Sequence, residues 1–315
     1  MGFIGKRLAI TLLTLFLVSF LTFAAFSVIP GDPALLALGI EASDEQLAAL
    51  RTEMGLDRGY FEQYFSWLGK FLTGSLGSSS RFRGQAISAL VAERLPVTFS
   101  LALVSLILIL LLSAPLAVLP VKKENSITDR LLNTFTAITI SFPGFFLGIL
   151  FIWIFGLALR LFVPGAYVGY RDDFLSFLGY LFFPALAVAI PNAAILIKFL
   201  RGAIFRQLKS DYVRTALGKG STRRRVLREH VLKNAAIPAI TTLSMIVAEI
   251  FSGSIVIEQV FGIPGIGRLL IASISSRDYA MVQTLAVYIA FVVVLANTFA
   301  DIAVRIVDPR IRFRA

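Results

Sequence analysis

The chain contains no cysteine, which excludes a disulfide framework and any thiolate metal site. It has a single histidine, His230, so a histidine-based metal cluster is excluded too. Charge is scarce: Asp, Glu, Lys and Arg make up 16% of 315 residues, against about 25% in a soluble domain. Hydrophobic residues reach 57% and mean hydropathy is +0.83. Too little polar surface remains to cover a globule of this size, so the bilayer is its natural solvent. Acid is scarcer than base, 19 residues against 30, giving a net charge of +11. In a soluble protein that excess would suggest nucleic acid. In a membrane protein it must first be weighed against the rule that Lys and Arg collect on the cytoplasmic side.

What is present is long apolar runs. A membrane helix needs roughly 20 mostly apolar residues. Six stretches qualify: Leu8–Ile29, Val97–Leu119, Leu131–Leu157, Leu178–Leu200, Ile237–Ile257 and Val282–Val307. The expectation is an all-α, polytopic membrane protein with six transmembrane helices. Pro143-Gly144, Pro184, Pro191 and Gly253 interrupt or end the third to fifth runs. Such breaks are tolerated where neighbouring helices or a cavity satisfy the freed backbone groups. The first run follows Lys6 and Arg7 and has Ala25-Phe26-Ser27 near its end, as a secretory signal would. Signal cores are only about 7–15 residues long, so a retained span is the preferred reading.

Six spans leave both termini on one side. That side collects 20 of the 30 Lys and Arg, ten of them between Arg201 and Lys233. The bias predicts that the termini and the 201–235 loop are cytoplasmic. It accounts for the basic charge without nucleic acid. The organisation follows: residues 1–30 form the N-terminal segment and first helix, and 31–96 an extracytoplasmic segment. Residues 97–307 form a five-helix core carrying the loop 201–235, and 308–315 a cytoplasmic tail. In the outer segment, Ser43 can cap a short helix over Ser43–Arg51, with acids in its first turn. Phe61, Tyr64, Phe65, Trp67 and Leu68 follow at helical spacing. Two readings stand: a packed cap without activity, or a docking surface for a substrate-delivery protein.

The segment Ser210–Pro238 predicts two short helices hinged at a glycine. Tyr212, Ala216 and Leu217 can share a face of the first; Leu227 and Val231 repeat at i, i+4 on the second, with His230 and Asn234 beside them. Gly220-Ser221 supplies the turn, and Ser221 or Thr222 can cap the second helix. Arg223, Arg224, Arg225 and Arg228 make the remaining face basic. Attraction to anionic lipid, about 1 kcal/mol per basic residue, explains that charge. It does not explain a compact two-helix knob suited to a protein cleft.

At these residues the segment resembles the cytoplasmic EAA motif of ABC-importer permeases, in which an acidic-Ala-Ala triplet precedes a glycine by three residues. Arg214-Thr215-Ala216, three residues, then Gly220 fit the spacing; the Arg-Thr-Ala triplet departs from the general form and resembles the dipeptide/oligopeptide branch. The stretch from Gly253 through Glu258, Phe261 and Pro264 to Gly267 also resembles that branch. So do Arg277-Asp278-Tyr279, the terminal Asp308-Pro309-Arg310, and Pro30-Gly31-Asp32-Pro33, Gly55-Leu56-Asp57, Gln63-Tyr64 and Arg94-Leu95-Pro96. The likeness covers nearly the whole chain, and the large outer segment resembles the B-type member of a permease pair. It implies a type I ABC-importer permease that is not an enzyme and binds no cofactor. Its implied partners are a paralogous second permease, two ATP-binding subunits carrying ATP and Mg, and an extracytoplasmic substrate-binding protein. It implies a coupling element of Arg214, Thr215, Ala216, Gly220, Arg224, Arg228, His230 and Asn234. The implied solute is a di- or oligopeptide, with oligosaccharide or nickel as alternatives. A channel or ATP-independent secondary transporter is the rival class; the inverted repeat common in secondary transporters is not visible.

Gly218-Lys219-Gly220-Ser221 is not a phosphate-binding loop, because no glycine stands five residues before Gly218 and Gly, not Ser or Thr, follows Lys219. Glu249 lies inside the fifth run, where an acid costs about 2.5–3.5 kcal/mol on insertion scales. It lines the translocation path, together with Ser252 and Ser254, or it pairs with a neighbouring helix. Asp301 and Arg305 stand at i, i+4 and predict a local ion pair.

Overall fold

The computed structural model describes residues 3–28, 34–35, 42–82, 84–119 and 126–307. Twelve helices and two π-helical turns account for most of these residues. Helix α1 (Phe3–Val28) is followed by two short helices of the outer segment, α2 (Asp44–Met54) and α3 (Tyr60–Leu72). Ser43 and Gln46 form a reciprocal capping box on α2, and Gly55 ends it at φ 73°. The membrane bundle then comprises α4 (Ile87–Val118), α5 (Ile127–Ser141), α6 (Gly144–Phe151) with a π-helical extension Ile152–Ala158, and α7 (Phe174–Leu208). Helices α8 (Asp211–Gly218) and α9 (Arg223–Val226) form the predicted knob. A π-helical turn, Leu227–Val231, joins α9 to α10 (Leu232–Phe261). A short α11 (Ile266–Ser275) and the last helix α12 (Tyr279–Val307) complete the chain.

Among the described residues, five helices are long and apolar enough to span a membrane, six if the bent pair α5–α6 counts as one span. The third predicted span is therefore not a straight helix. The axes of α5 and α6 differ by 94°. Phe142 is extended, as a residue before proline prefers, and Pro143 opens α6. Two other expectations change at their edges. Helix α4 begins at Ile87, so residues assigned to the outer segment already belong to the second long helix. The 201–235 connection contains the two expected short helices but is more helical than expected at its edges: α7 continues to Leu208, and one helical path runs from Arg223 through the π turn to Phe261.

The core lies where α4, α7 and α10 meet. Leu101, Ile109, Leu181, Ile246, Ile250 and Phe261 are buried there with Ala185, Ala187, Ala189 and Ala193. The alanines let α7 come close to its neighbours, as small residues do in membrane bundles. Helix α6 approaches closely for the same reason: a Cβ on Gly148 would sit 3.0 Å from the Phe261 ring, and one on Gly144 3.2 Å from the Ala187 carbonyl. Helix α1 lies outside this core against α12. Thr11 and Thr298 share a 2.8 Å hydrogen bond. Arg7 of α1 pairs with Asp301, so Asp301 has a partner on another helix. The expected Arg305 partner has its side chain outside the described residues.

Candidate functional site: a two-helix knob continuous with a membrane helix

The knob is built from two amphipathic pieces and two caps. Val213, Val226 and Val231 are buried against Ala117 of α4, Ile197, Ala203 and Ile204 of α7, and Ala235 of α10. These contacts seat the knob on one end of the bundle. Val213 is the residue that α8 buries; Tyr212 and Ala216 flank it half-buried, and Leu217 is exposed. Two of the three residues expected on that face, Tyr212 and Ala216, thus pack against the bundle, and Val213 takes the place expected for Leu217. Thr222, one of the two expected caps, accepts from the Arg225 N–H at 3.3 Å.

The glycine spacing now has a physical reason. At the end of α8 the Ser221 N–H donates to the Ala216 carbonyl at 3.1 Å, and the Gly220 N–H to the Leu217 carbonyl at 3.0 Å. This pair of bonds is a Schellman cap, which needs a left-handed residue four positions after the first acceptor. Gly220 fills it at φ 84°. Ala216 closes the triplet and also supplies the acceptor, so triplet and glycine form one capping unit. A Cβ on Gly220 would meet nothing within 4 Å. The requirement is conformational and not steric.

The outward surface is basic. Arg214, Thr215, Gly220, Arg224, Arg228 and His230 are exposed, and Asn234 and Ala216 are half-buried. Arg225 pairs with Glu229 one turn on, at 2.9 Å. Arg223 and Arg224 rim an open groove of about 880 Å³ whose apolar wall includes Pro115, Val118, Leu119, Leu208 and Leu217. Beside the knob, Arg201 grips Asp129 with two bonds of 2.5 and 2.7 Å. Asp129 is 2% exposed. This fork ties α5 to α7, and sequence spacing gave no sign of it.

The other candidate residues lie further along α10. Met245, Glu249, Ser252, Val256 and Gln259 form an exposed stripe at alternating spacings of four and three. Met245 is 70% exposed. Ser252 donates to the Glu249 carbonyl at 3.2 Å. Ser254 does not join this face, because two residues on a helix stand about 200° apart. It is buried against α4 and α12, in a small cavity with Thr98, Phe99 and Tyr288.

Sequence reasoning passed over Glu258 as a site residue. Its carboxylate is fully buried at the far end of α10. It accepts from Thr98 Oγ1 at 2.6 Å, the Gly267 N–H at 2.7 Å and the Arg268 N–H at 3.2 Å. The last two donors belong to the first turn of α11, where a negative charge is favoured. Thr98 in turn accepts from the Ile266 N–H at 2.9 Å. A Cβ on Gly265 would strike the Glu258 carboxylate, and one on Gly267 the Ile255 backbone. The signal was the pair of glycines seven and nine residues after an acid at a span end.

A bundle of apolar helices that seats a capped basic knob on one end defines a multi-pass membrane protein with an exposed basic element at that end. Residues 110–313 match the family described as the binding-protein-dependent transport system inner membrane component, and residues 1–102 match the N-terminal component of such systems. The chain belongs to this family of ABC-transporter permeases and is a multi-pass membrane protein. A probable peptide ABC transporter permease of Sinorhizobium fredii is 33% identical over 99% of each chain. The oligopeptide permease AppB of Bacillus subtilis is 34% identical, also over 99% of each. The dipeptide permease DppB of Lactococcus lactis is 31% identical over 98% of this chain and 99% of its own. Among solved structures, an inward-facing methionine ABC transporter, MetNI, superposes with a TM-score of 0.57. That match covers 70% of this chain and 96% of the other at 16% identity, and it bears on the fold alone.

Proposed function

We propose that this chain is one of two membrane subunits of an importer for di- or oligopeptides, driven by ATP hydrolysis on partner subunits. The observation that carries the reading is the capped knob, exposed on its outer face and helically continuous with α10. Full-length similarity to permeases named for peptides, dipeptides and oligopeptides supports the solute class. In this reading the knob faces the cytoplasm, as the excess of Lys and Arg at that end favours. Arg214, Thr215, Ala216, Gly220, Arg224, Arg228, His230 and Asn234 dock into a cleft of an ATP-binding subunit, which holds ATP and Mg. A paralogous permease completes the membrane part, and an extracytoplasmic binding protein delivers the peptide.

The mechanism is a rigid-body switch. Closure of the ATP-binding subunits displaces the docked knob. The knob is packed on α4, α7 and α10 and has no loop before α10, so the displacement reaches the stripe containing Glu249 and Ser252. That stripe lines the path shared with the second permease. Glu249 is tolerated at membrane depth because it faces a wet pathway. Purification in mild detergent with ATP-driven uptake in proteoliposomes tests the proposal. Recovery of two ATP-binding subunits and a second permease, with peptide uptake that needs ATP, is the expected result. Recovery of the chain alone, transporting without ATP, would overturn it.

A further inference from the structure

Helix α3 belongs to the segment that topology assigns to the space outside the membrane, yet it packs against the middle of α1. Tyr64 is fully buried, and its hydroxyl shares a 2.8 Å hydrogen bond with Ser19 Oγ. Ser19 precedes the end of α1 at Val28 by nine residues, or about 13 Å along the helix axis. With a hydrocarbon layer about 30 Å thick, this contact lies inside the layer and not above it. The aromatic packing agrees: Phe16, Phe20 and Phe23 of α1 meet Tyr60, Tyr64 and Trp67 with ring centroids 5.2–6.3 Å apart.

Helix α3 also carries more apolar surface than α1 covers. Tyr60, Tyr64, Trp67 and Phe71 form the face toward α1. Phe61, Phe65, Leu68 and Leu72 form a second apolar stripe beside it, at spacings of four, three and four. Phe61 is 65% exposed, Phe65 58% and Leu72 75%. The remaining arc is polar: Glu62, Gln63, Ser66, Gly69 and Lys70. Gln63 is occupied in holding the preceding turn, donating to the Leu56 and Arg58 carbonyls at 3.1 and 2.8 Å. The uncovered stripe is continuous with the exposed side of α1, where Leu13, Leu17 and Leu21 lie and where Phe20 stacks on Phe61.

We propose that α3 is an interfacial helix seated in the leaflet opposite the knob, with its Phe61–Leu72 stripe covered by lipid acyl chains. Its apolar arc is divided between α1 and lipid, while Glu62 and Lys70 stay at headgroup level. An amphipathic helix lying in the interface plane sinks its apolar face about 5–10 Å past the headgroup boundary, and the Tyr64 side chain reaches from that face to Ser19 deeper along α1. The alternative occupant of the stripe, an extracytoplasmic binding protein, would require α3 to stand clear of the membrane. The Tyr64–Ser19 contact at depth argues against that placement.

The absence of cysteine makes the test clean. Single variants Phe65→Cys, Leu72→Cys, Glu62→Cys and Lys70→Cys are labelled with a bimane fluorophore in the full chain, reconstituted with its co-purifying subunits. Vesicles of phosphatidylcholine with and without acyl-chain bromines serve as host. Labels at Phe65 and Leu72 should lose at least half their fluorescence in brominated vesicles and resist aqueous iodide. Labels at Glu62 and Lys70, on the same helix, should show the reverse and so report that α3 is folded. Quenching of all four by iodide, with no bromine effect, would overturn the proposal. Protection of the Phe65 and Leu72 labels only when a solute-binding protein is added would overturn it in favour of docking.

Discussion

The two ends of α10 solve the problem of holding a neighbouring short helix in opposite ways. At the knob end, Gly220 turns the chain with open space around it, and the outward side chains are long, basic and exposed. At the other end, Gly265 and Gly267 are crowded by Glu258 and Ile255, and a buried carboxylate ties α10, α11 and α4 together. Glycine is needed for its backbone freedom in the first place and for its small volume in the second. The first surface is left exposed. The second is complete within the chain.

The comparison breaks most visibly at the crowded end. Gly267→Ala must move the Ile255 backbone, and Glu258→Ala strands three donors, each costing about 1–3 kcal/mol when buried without a partner. Both variants should lower the unfolding temperature in detergent more than any change at the knob; unfolding unchanged from the parent would refute the lock. Next comes the fork beside the knob. Asp129→Ala leaves Arg201 uncompensated, with an expected loss of about 3–5 kcal/mol. A double variant that also replaces Arg201 with Met should recover part of it, read from the same melting curves.

At the knob itself, Gly220→Val must enter the left-handed region, at about 1–2 kcal/mol of backbone strain. Gly220→Asn tolerates that region. ATP-driven uptake should be lost with Val and largely kept with Asn, with both proteins folded. Equal loss with both would mean that the partner, and not the Schellman cap, demands glycine. The smallest effect concerns Asp173, which caps α7 outside the membrane. Its side-chain bond from Ser176 and the backbone N–H groups of Ser176 and Leu175 hold its carboxyl below the ordinary value. A lowered folded value means that the cap stabilises above the unfolded pKa and is lost as pH falls through the folded one. Asp173→Asn should flatten this acid-side slope in melting temperature and leave neutral pH almost unchanged.

Apolar runs made the bundle legible, because burial in lipid demands an uninterrupted hydrophobic length. Helix ends were less legible. Residues from Arg223 onward and up to Leu208 are helical but project beyond the apolar layer, so charge replaces the signal that marks a span. The break at Pro143 was visible as a proline, but the 94° turn depends on how α6 packs on α7 and α10. The knob's glycine was legible from local spacing, since a Schellman cap is a local structure. The Asp129–Arg201 fork and the Thr98–Glu258 bond were not, because they join residues 72 and 160 positions apart.

The uninterrupted path from Arg223 to Phe261 is 39 residues, or about 58 Å of shaft. A shaft has no backlash where a loop would have slack. A tilt of about 10° about one end carries the other through about 10 Å, by the same helical rise. Compliance along it is confined to two marked places, the π turn at Leu227–Val231 and Pro238. The gain of this lever is therefore set by stiffness at those two points, both within the first half of its length.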